Sequence, residues 1–250
     1  MQTELEFYQL SAVGDREINQ DCMAHRVCAD YAVFVVADGL GGHQAGEKAS
    51  QFFCRGLIEQ AQAFQSRIIR QPEQGVREWI AAAVNRMREL FGNDPFAADA
   101  HTTGAILYLD DTQVVTAHCG DSRIYRLNPA QVLWRTKDHS LTQQLFDEGK
   151  ISEWEMGIHP EQNKLTRSIN VLSAPMVDIQ VFPAMQSGET FILCSDGFWE
   201  CIKEQEFLQL SQPASGKSEL KKMAQMTILR AQGKSDNCTV QWVRKRVITQ

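Results

Sequence analysis

Two aspartates close apolar runs and are followed at once by glycine. Asp38-Gly39 comes after YAVFVVA (31–37), and Asp196-Gly197 comes after TFILCS (190–195). Three more sit beside such runs: Asp21 before CMAHRVC, Asp236 ahead of CTVQWV, and Asp121 between QVVTAHC and SRIYRL. Taken singly, an Asp-Gly pair is a turn signal. In an antiparallel sheet, however, the end of one strand and the start of the next share an edge, so five carboxylates can converge on one rim. Such a cluster repels itself unless it binds cations. Oxygen donors without His or Cys select magnesium or manganese over zinc. Two such ions about 4 Å apart can hold a hydroxide for in-line attack on phosphorus.

The elements that must place these residues are legible in outline. The segments 31–37, 102–109, 113–119, 122–127 and 131–135 are short and rich in β-branched residues, which predicts strands. Connections between 102 and 135 are too short for a crossover helix, so these four strands are expected to form one antiparallel meander. Later strands are expected at 177–182, 190–195 and 238–247. Apolar residues at helical spacing predict helices over 76–91 and 217–231, and a third from about Ala45 to Phe64. Single-striped helices over antiparallel sheets give an α+β layered architecture. Residues 211–218 read as a surface loop. Residues 147–170, with two short helical pieces, read as an excursion from the sheet.

Composition narrows the function classes. At 250 residues, one domain spanning 1–250 is expected. The net charge of −6 lacks the basic surplus of a nucleic-acid binder. No run approaches the roughly 20 apolar residues of a membrane span, and the acidic, alternating N-terminus is not a targeting peptide. Seven cysteines without a C-x-x-C predict reduced thiols and a cytoplasmic location. The glycine-rich stretch after Asp38 fails both nucleotide fingerprints: Glu47 stands where the phosphate loop needs lysine, and Gln44 where the dinucleotide motif needs its last glycine.

In order, the chain reads GDREINQD (14–21), VVADGLGGHQAGEKAS (35–50), TTGAILYL (102–109), AHCGDSRIYRL (117–127), KDHSLTQQL (137–145), LCSDGFWE (193–200) and SDNCTV (235–240). This series resembles the catalytic domain of the metal-dependent serine/threonine protein phosphatases, the PPM or type 2C family, and its bacterial branch in particular. The similarity runs from about residue 10 to 243. It implies two antiparallel β-sheets packed as a sandwich with helices on both sides. It also implies hydrolysis of phosphoserine and phosphothreonine proteins, opposite a bacterial serine/threonine kinase, with a monomer expected.

By position, the resemblance makes Asp38 the residue that bridges two Mn2+ or Mg2+ ions, with the Gly39 carbonyl on one of them and Asp196 and Asp236 on the other. Asp121 matches a position that helps Asp196 bind a weaker third ion. Asp21 supports the metal waters without direct ligation, and Arg16 matches the arginine that grips phosphate oxygens. Asn237 is expected to shape its turn. Two positions depart from the family: Gln20 stands where several members are acidic, and Leu40 where animal members carry a histidine proposed as general acid. A metal-bound water is then the expected proton donor, with His43 a weaker candidate. His101 and His139 carry less, the latter reading as a loop hydrogen bond. Residues 147–170 correspond to the family's substrate flap, with His159, Asn163 and Arg167 as its candidate contacts. The rival reading, an inactive binding module, would require lost metal ligands; Asp38, Asp121, Asp196 and Asp236 are all present.

Overall fold

A computed structural model of the chain describes residues 3–41 and 44–247. The order is β1 (Thr3–Ala12), β2 (Asp21–Val27), β3 (Tyr31–Leu40), α1 (Gln44–Arg70), α2 (Pro72–Phe91), β4 (His101–Thr102), β5 (Gly104–Asp110), β6 (Gln113–Cys119), β7 (Arg123–Leu127) and β8 (Val132–Arg135). Then follow α3 (Leu141–Asp147), α4 (Glu153–Met156), β9 (Asp178–Pro183), β10 (Thr190–Cys194), α5 (Asp196–Trp199), α6 (Glu204–Phe207), α7 (Lys217–Arg230) and β11 (Cys238–Val247). One antiparallel sheet has the order β1-β11-β10-β7-β8, and the other β2-β3-β5-β6-β9 with β4 against β3.

The side-chain alternation of the strands divides three apolar layers. Phe34 and Val36 of β3 meet Phe191, Leu193 and Val243 of the other sheet in the core between the sheets. Val33 and Val35 point the opposite way, onto Phe53, Leu57, Trp79 and Ile80 of α1 and α2. On the far side, Ile192, Val240 and Trp242 pack beneath Phe198, Leu220 and Met223. The sandwich is therefore covered by helices on both faces. This is why β3 is apolar throughout rather than alternating: both of its faces are buried. Helix α2 begins at Pro72, where the missing N–H costs nothing, and ends at Gly92 with φ +55°.

Several expectations need correction. The meander over 102–135 is broken: β5 and β6 belong to one sheet, β7 and β8 to the other. The chain crosses between them at Gly120–Ser122, where Gly120 has φ +95° and a Cβ there would lie 2.6 Å from Thr103 Cγ2. A turn of that kind carries no length signal to distinguish it from a hairpin. The first strand, β1, was not foreseen beyond its alternation. Leu5 and Phe7 enter the core between the sheets, Tyr8 and Leu10 the outer one, and all ten residues pair with β11. Helix α1 runs six residues past Phe64, to Arg70. Within 147–170 only α4 is helical; the other piece, α3, begins earlier and ends at Asp147.

Gly120→Ala forces a side chain into the left-handed region and against Thr103. The expected cost is about 2 kcal/mol or more, read as a lowered midpoint in urea unfolding.

Candidate active site

The acidic rim lies at one end of the sandwich, where both sheets deliver their strand ends. Asp21 opens β2 directly opposite Asp38 in the β3 register. Asp38 continues the Phe34–Val36 side of its strand, so it faces the interval between the sheets. Asp196 starts α5 just past β10, Asp236 lies two residues before β11, and Asp121 occupies the crossing turn between the sheets. Asp21, Asp121 and Asp196 are less than a tenth exposed, and Asp38 and Asp236 are half-buried.

The local fold fixes each of them through the backbone. The Asp38 N–H donates to Thr103 Oγ1 (2.9 Å), and its carbonyl accepts from Thr103 N–H (2.8 Å) and Thr102 Oγ1 (2.9 Å). Thr103 Oγ1 in turn shares a hydrogen bond with Ser122 Oγ, 2.7 Å away and next to Asp121. Ser195 Oγ donates across the sandwich to Asp21 Oδ2 at 2.7 Å. Asp196 and Asp236 each accept the following residue's N–H, at 2.6 Å and 2.7 Å. Gly39 tolerates no side chain, since a Cβ would lie 2.0 Å from the Gly46 carbonyl oxygen.

Arg16 reaches the rim from the loop between β1 and β2. Asn237 fastens that loop: its Oδ1 accepts from Gln20 N–H (2.7 Å), and its Nδ2 donates to Val13 O (2.8 Å) and Ile18 O (3.0 Å). Asp15 adds bonds from Ser235 N–H and Oγ. The Arg16 guanidinium stays more than half exposed and pairs with Asp236 at 2.6 Å. An open cleft of about 440 Å³ runs between Arg16, Asp38, Gly39, Asp121, Asp196 and Asp236, and Leu40 and Asn163 also line it.

The electrostatics are those of crowded, buried carboxylates. Burial first, then the neighbouring Asp196, Asp21 and Asp121 charges, pushes the Asp38 carboxyl well above the usual range. Burial and Asp196 raise Asp121. Asp196 is raised to about 7 by burial and by Asp236, against the Gly197 N–H. Asp21 is raised by burial despite hydrogen bonds from Ser195 and Thr239. Asp21 Oδ1 and Asp121 Oδ1 are buried without a hydrogen-bond partner. Orphaned carboxylate oxygens in an all-oxygen donor set fit a hard divalent cation, which would satisfy them and cancel the repulsion.

Of the flap residues, Asn163 lies on the cleft, whereas His159 and Arg167 are not among its walls. His159 Nδ1 accepts the Glu161 N–H. Arg167 pairs with Asp178 at 2.9 Å and lies 3.3 Å from His139 Nε2. His139 Nδ1 accepts the Gly120 N–H, the loop hydrogen bond expected of it, and His101 meets Ser168 Oγ. His43 falls outside the described residues. Sequence reasoning missed Thr103, Ser122 and Ser195, whose hydroxyls brace the Asp38 backbone and the Asp21 carboxylate and carry no pattern of their own. It also missed Glu200, a sixth carboxylate raised by burial and by Asp196, Asp121 and Asp236; its place four residues after Asp196, one helical turn on, was the available signal.

A fold of two packed antiparallel sheets ending in such a rim is that of a class of phosphoprotein phosphatases, and comparison with known proteins agrees. The family model for protein phosphatase 2C matches residues 9–233. The serine/threonine phosphatase stp of Listeria monocytogenes serotype 4b is 32% identical over 219 residues, covering 85% of this chain and 84% of its own. Protein phosphatase PhpP of Streptococcus pneumoniae is 31% identical over 207 residues, covering 81% and 82%. The crystal structure of the Mycobacterium tuberculosis phosphatase PstP/Ppp superposes with a TM-score of 0.81 at 24% identity, over 96% of this chain and 98% of that one. The catalytic domain of PstP in complex with two manganese ions gives 0.76 at 23% identity, covering 98% and 100%. The chain belongs to the protein phosphatase 2C family and is a serine/threonine phosphoprotein phosphatase.

The raised carboxylates set a pH dependence for the metal-free protein. Asp196 binds its proton more tightly folded, about 7, than at its ordinary 3.8. Its contribution is therefore present below about pH 4 and lost as pH rises through 7. In EDTA, Tm should fall across that window from this source. Manganese should restore it most at neutral pH, and calorimetric scans at several pH values check both.

Proposed function

We propose that the chain acts as one catalytic domain over its length, a manganese- or magnesium-dependent phosphatase of phosphoserine and phosphothreonine proteins. The observation that carries this reading is the convergence of five aspartates on one rim, two with orphaned buried oxygens, beside an exposed arginine. Asp38 would bridge two cations, the Gly39 carbonyl would hold one, and Asp196 with Asp236 the other. Asp121 with Asp196 would hold a weaker third, and Asp21 would act through waters. Bound cations supply an acidified water as nucleophile and offset the charge that develops on the phosphoryl oxygens.

The rest is the chain's own work. Arg16 exchanges its Asp236 contact for two phosphoryl oxygens, a geometry that a guanidinium fork matches. The reaction breaks the P–O ester bond in one displacement, leaving phosphate and the free hydroxyl. Among the described residues, none lining the cleft is a histidine, so the departing alkoxide takes its proton from water. The cysteines have no nucleophilic part: among the described residues none lines the cleft, and burial pushes the Cys119 thiol up to about 12 and Cys194 well above its ordinary value. Asn163 meets the substrate from the flap, with His159 and Arg167 shaping that segment from behind. All seven cysteines are unpaired, which suits a cytoplasmic monomer, and the substrate class suits a role opposing a serine/threonine kinase. No helix among the described residues is long and apolar enough to cross a membrane.

The test is hydrolysis of a phosphothreonine peptide and of p-nitrophenyl phosphate in EDTA, magnesium and manganese, with Asp38→Asn alongside. Manganese should restore activity lost in EDTA, and Asp38→Asn should lose about 100-fold or more. Full activity in EDTA, or an unimpaired Asp38→Asn, would sink the metal-centred reading. Arg16→Ala should raise KM for the phosphopeptide about tenfold or more, in steady-state kinetics at saturating manganese.

A further inference from the structure

We infer that Trp199 is a positioning residue for the cation held by Asp121, and that Arg123 links it to the flap; this rests on the metal-centre reading above. Asp121 Oδ1 is buried and makes no hydrogen bond, so its aim is set by the backbone that carries it. That backbone is held by an indole: Trp199 Nε1–H donates to the Asp121 carbonyl at 2.9 Å, with Trp199 only 5% exposed. Trp199 closes α5, the one-turn helix that Asp196 opens. The indole therefore ties together the segments bearing two of the acidic groups.

Trp199 is itself clamped. The Arg123 guanidinium lies over its ring, 3.4 Å from the centroid, and is held by both Asp138 oxygens (2.8 and 2.7 Å) and the Tyr125 hydroxyl (3.0 Å). The same guanidinium reaches the flap, 3.8 Å from Met156 Sδ and 3.7 Å from Glu153 Oε1 in α4. A filler of the outer core would need none of this polarity; phenylalanine would serve. The chain of contacts runs α4–Arg123–Trp199–Asp121, so movement of the flap is felt at the Asp121 carboxylate.

The test is manganese binding to the metal-free protein, by titration calorimetry and by electron paramagnetic resonance of free Mn2+. Trp199→Phe leaves an aromatic ring beneath Arg123 and removes the N–H. The weakest manganese event should weaken about fivefold, the worth of one lost hydrogen bond, while tighter events hold their affinity. Trp134→Phe, in β8 against Phe182 and outside this chain of contacts, should change none of them. Wild-type affinity at every site in Trp199→Phe overturns the inference, and so does uniform weakening at all sites, which marks general loosening. A wild-type protein that binds no manganese refutes the metal centre itself, and this inference with it. Should Trp199→Phe not fold, the wild-type Trp199 indole N–H resonance decides: magnesium should move it, and an unmoved resonance at saturating magnesium overturns the inference.

Discussion

Everything at this end of the molecule answers to one constraint: several carboxylates are held close together, out of water, between the ends of two sheets. Desolvation and mutual repulsion both oppose that arrangement, and both raise the affinity of the group for protons or cations. A cluster that would fly apart must be restrained largely through its backbone, since Asp21 Oδ1 and Asp121 Oδ1 have no partner of their own. Hence the Thr103 hydroxyl and the Asn237 amide bond to the main chain, Ser122 bonds the Thr103 hydroxyl, and Ser195 holds the buried Asp21 carboxylate. The scaffold is neutral, so it adds stiffness without quenching the charge of the cluster.

The two sheets contribute unequally. Asp21 and Asp38 come from adjacent strands and share a register fixed by ladder hydrogen bonds. Asp196 and Asp236 come from the other sheet, in residues just outside β10 and β11. Asp121 stands where the chain passes between sheets, which makes its position sensitive to how they slide on one another. The Ser195–Asp21 and Thr103–Ser122 contacts lock that slide near the rim. The flap is joined at its base by bridges pairing Thr102 with Ile169 and Ser140 with Leu165, and through α4 to Arg123 and Arg135.

What was legible in the sequence follows from these physics. The buried strands β3 and β10 show as nearly continuous apolar runs because both of their faces are covered, and the aspartates show as their punctuation. Sheet membership does not show. A three-residue turn after β6 reads alike whether the next strand pairs beside it or crosses the sandwich, and only long-range packing decides. Strand β1 was masked because its alternating face is polar at Glu4 and Glu6, and its partner lies more than 200 residues away. Among the ligand candidates, motif order carried the reading. The holding residues escaped because a serine that supports a carboxylate looks like any other serine. The flap contacts were the least legible, since irregular chain has no period from which to read which side chains face the cleft.

The pairing of β1 with β11 has a consequence for how the protein comes into being. Strand β11 sits between β1 and β10, yet it follows every other element of the described residues. Until residues 236–247 have left the ribosome, β1 has no partner, Asp236 is missing from the rim, and the Arg16 loop lacks the amide of Asn237. The contact of highest sequence separation is thus the one that completes both the sheet and the acidic centre, and such contacts form late and slowly. A nascent chain that has not yet reached β11 therefore carries an unpaired β1 edge and an acidic rim without Asp236.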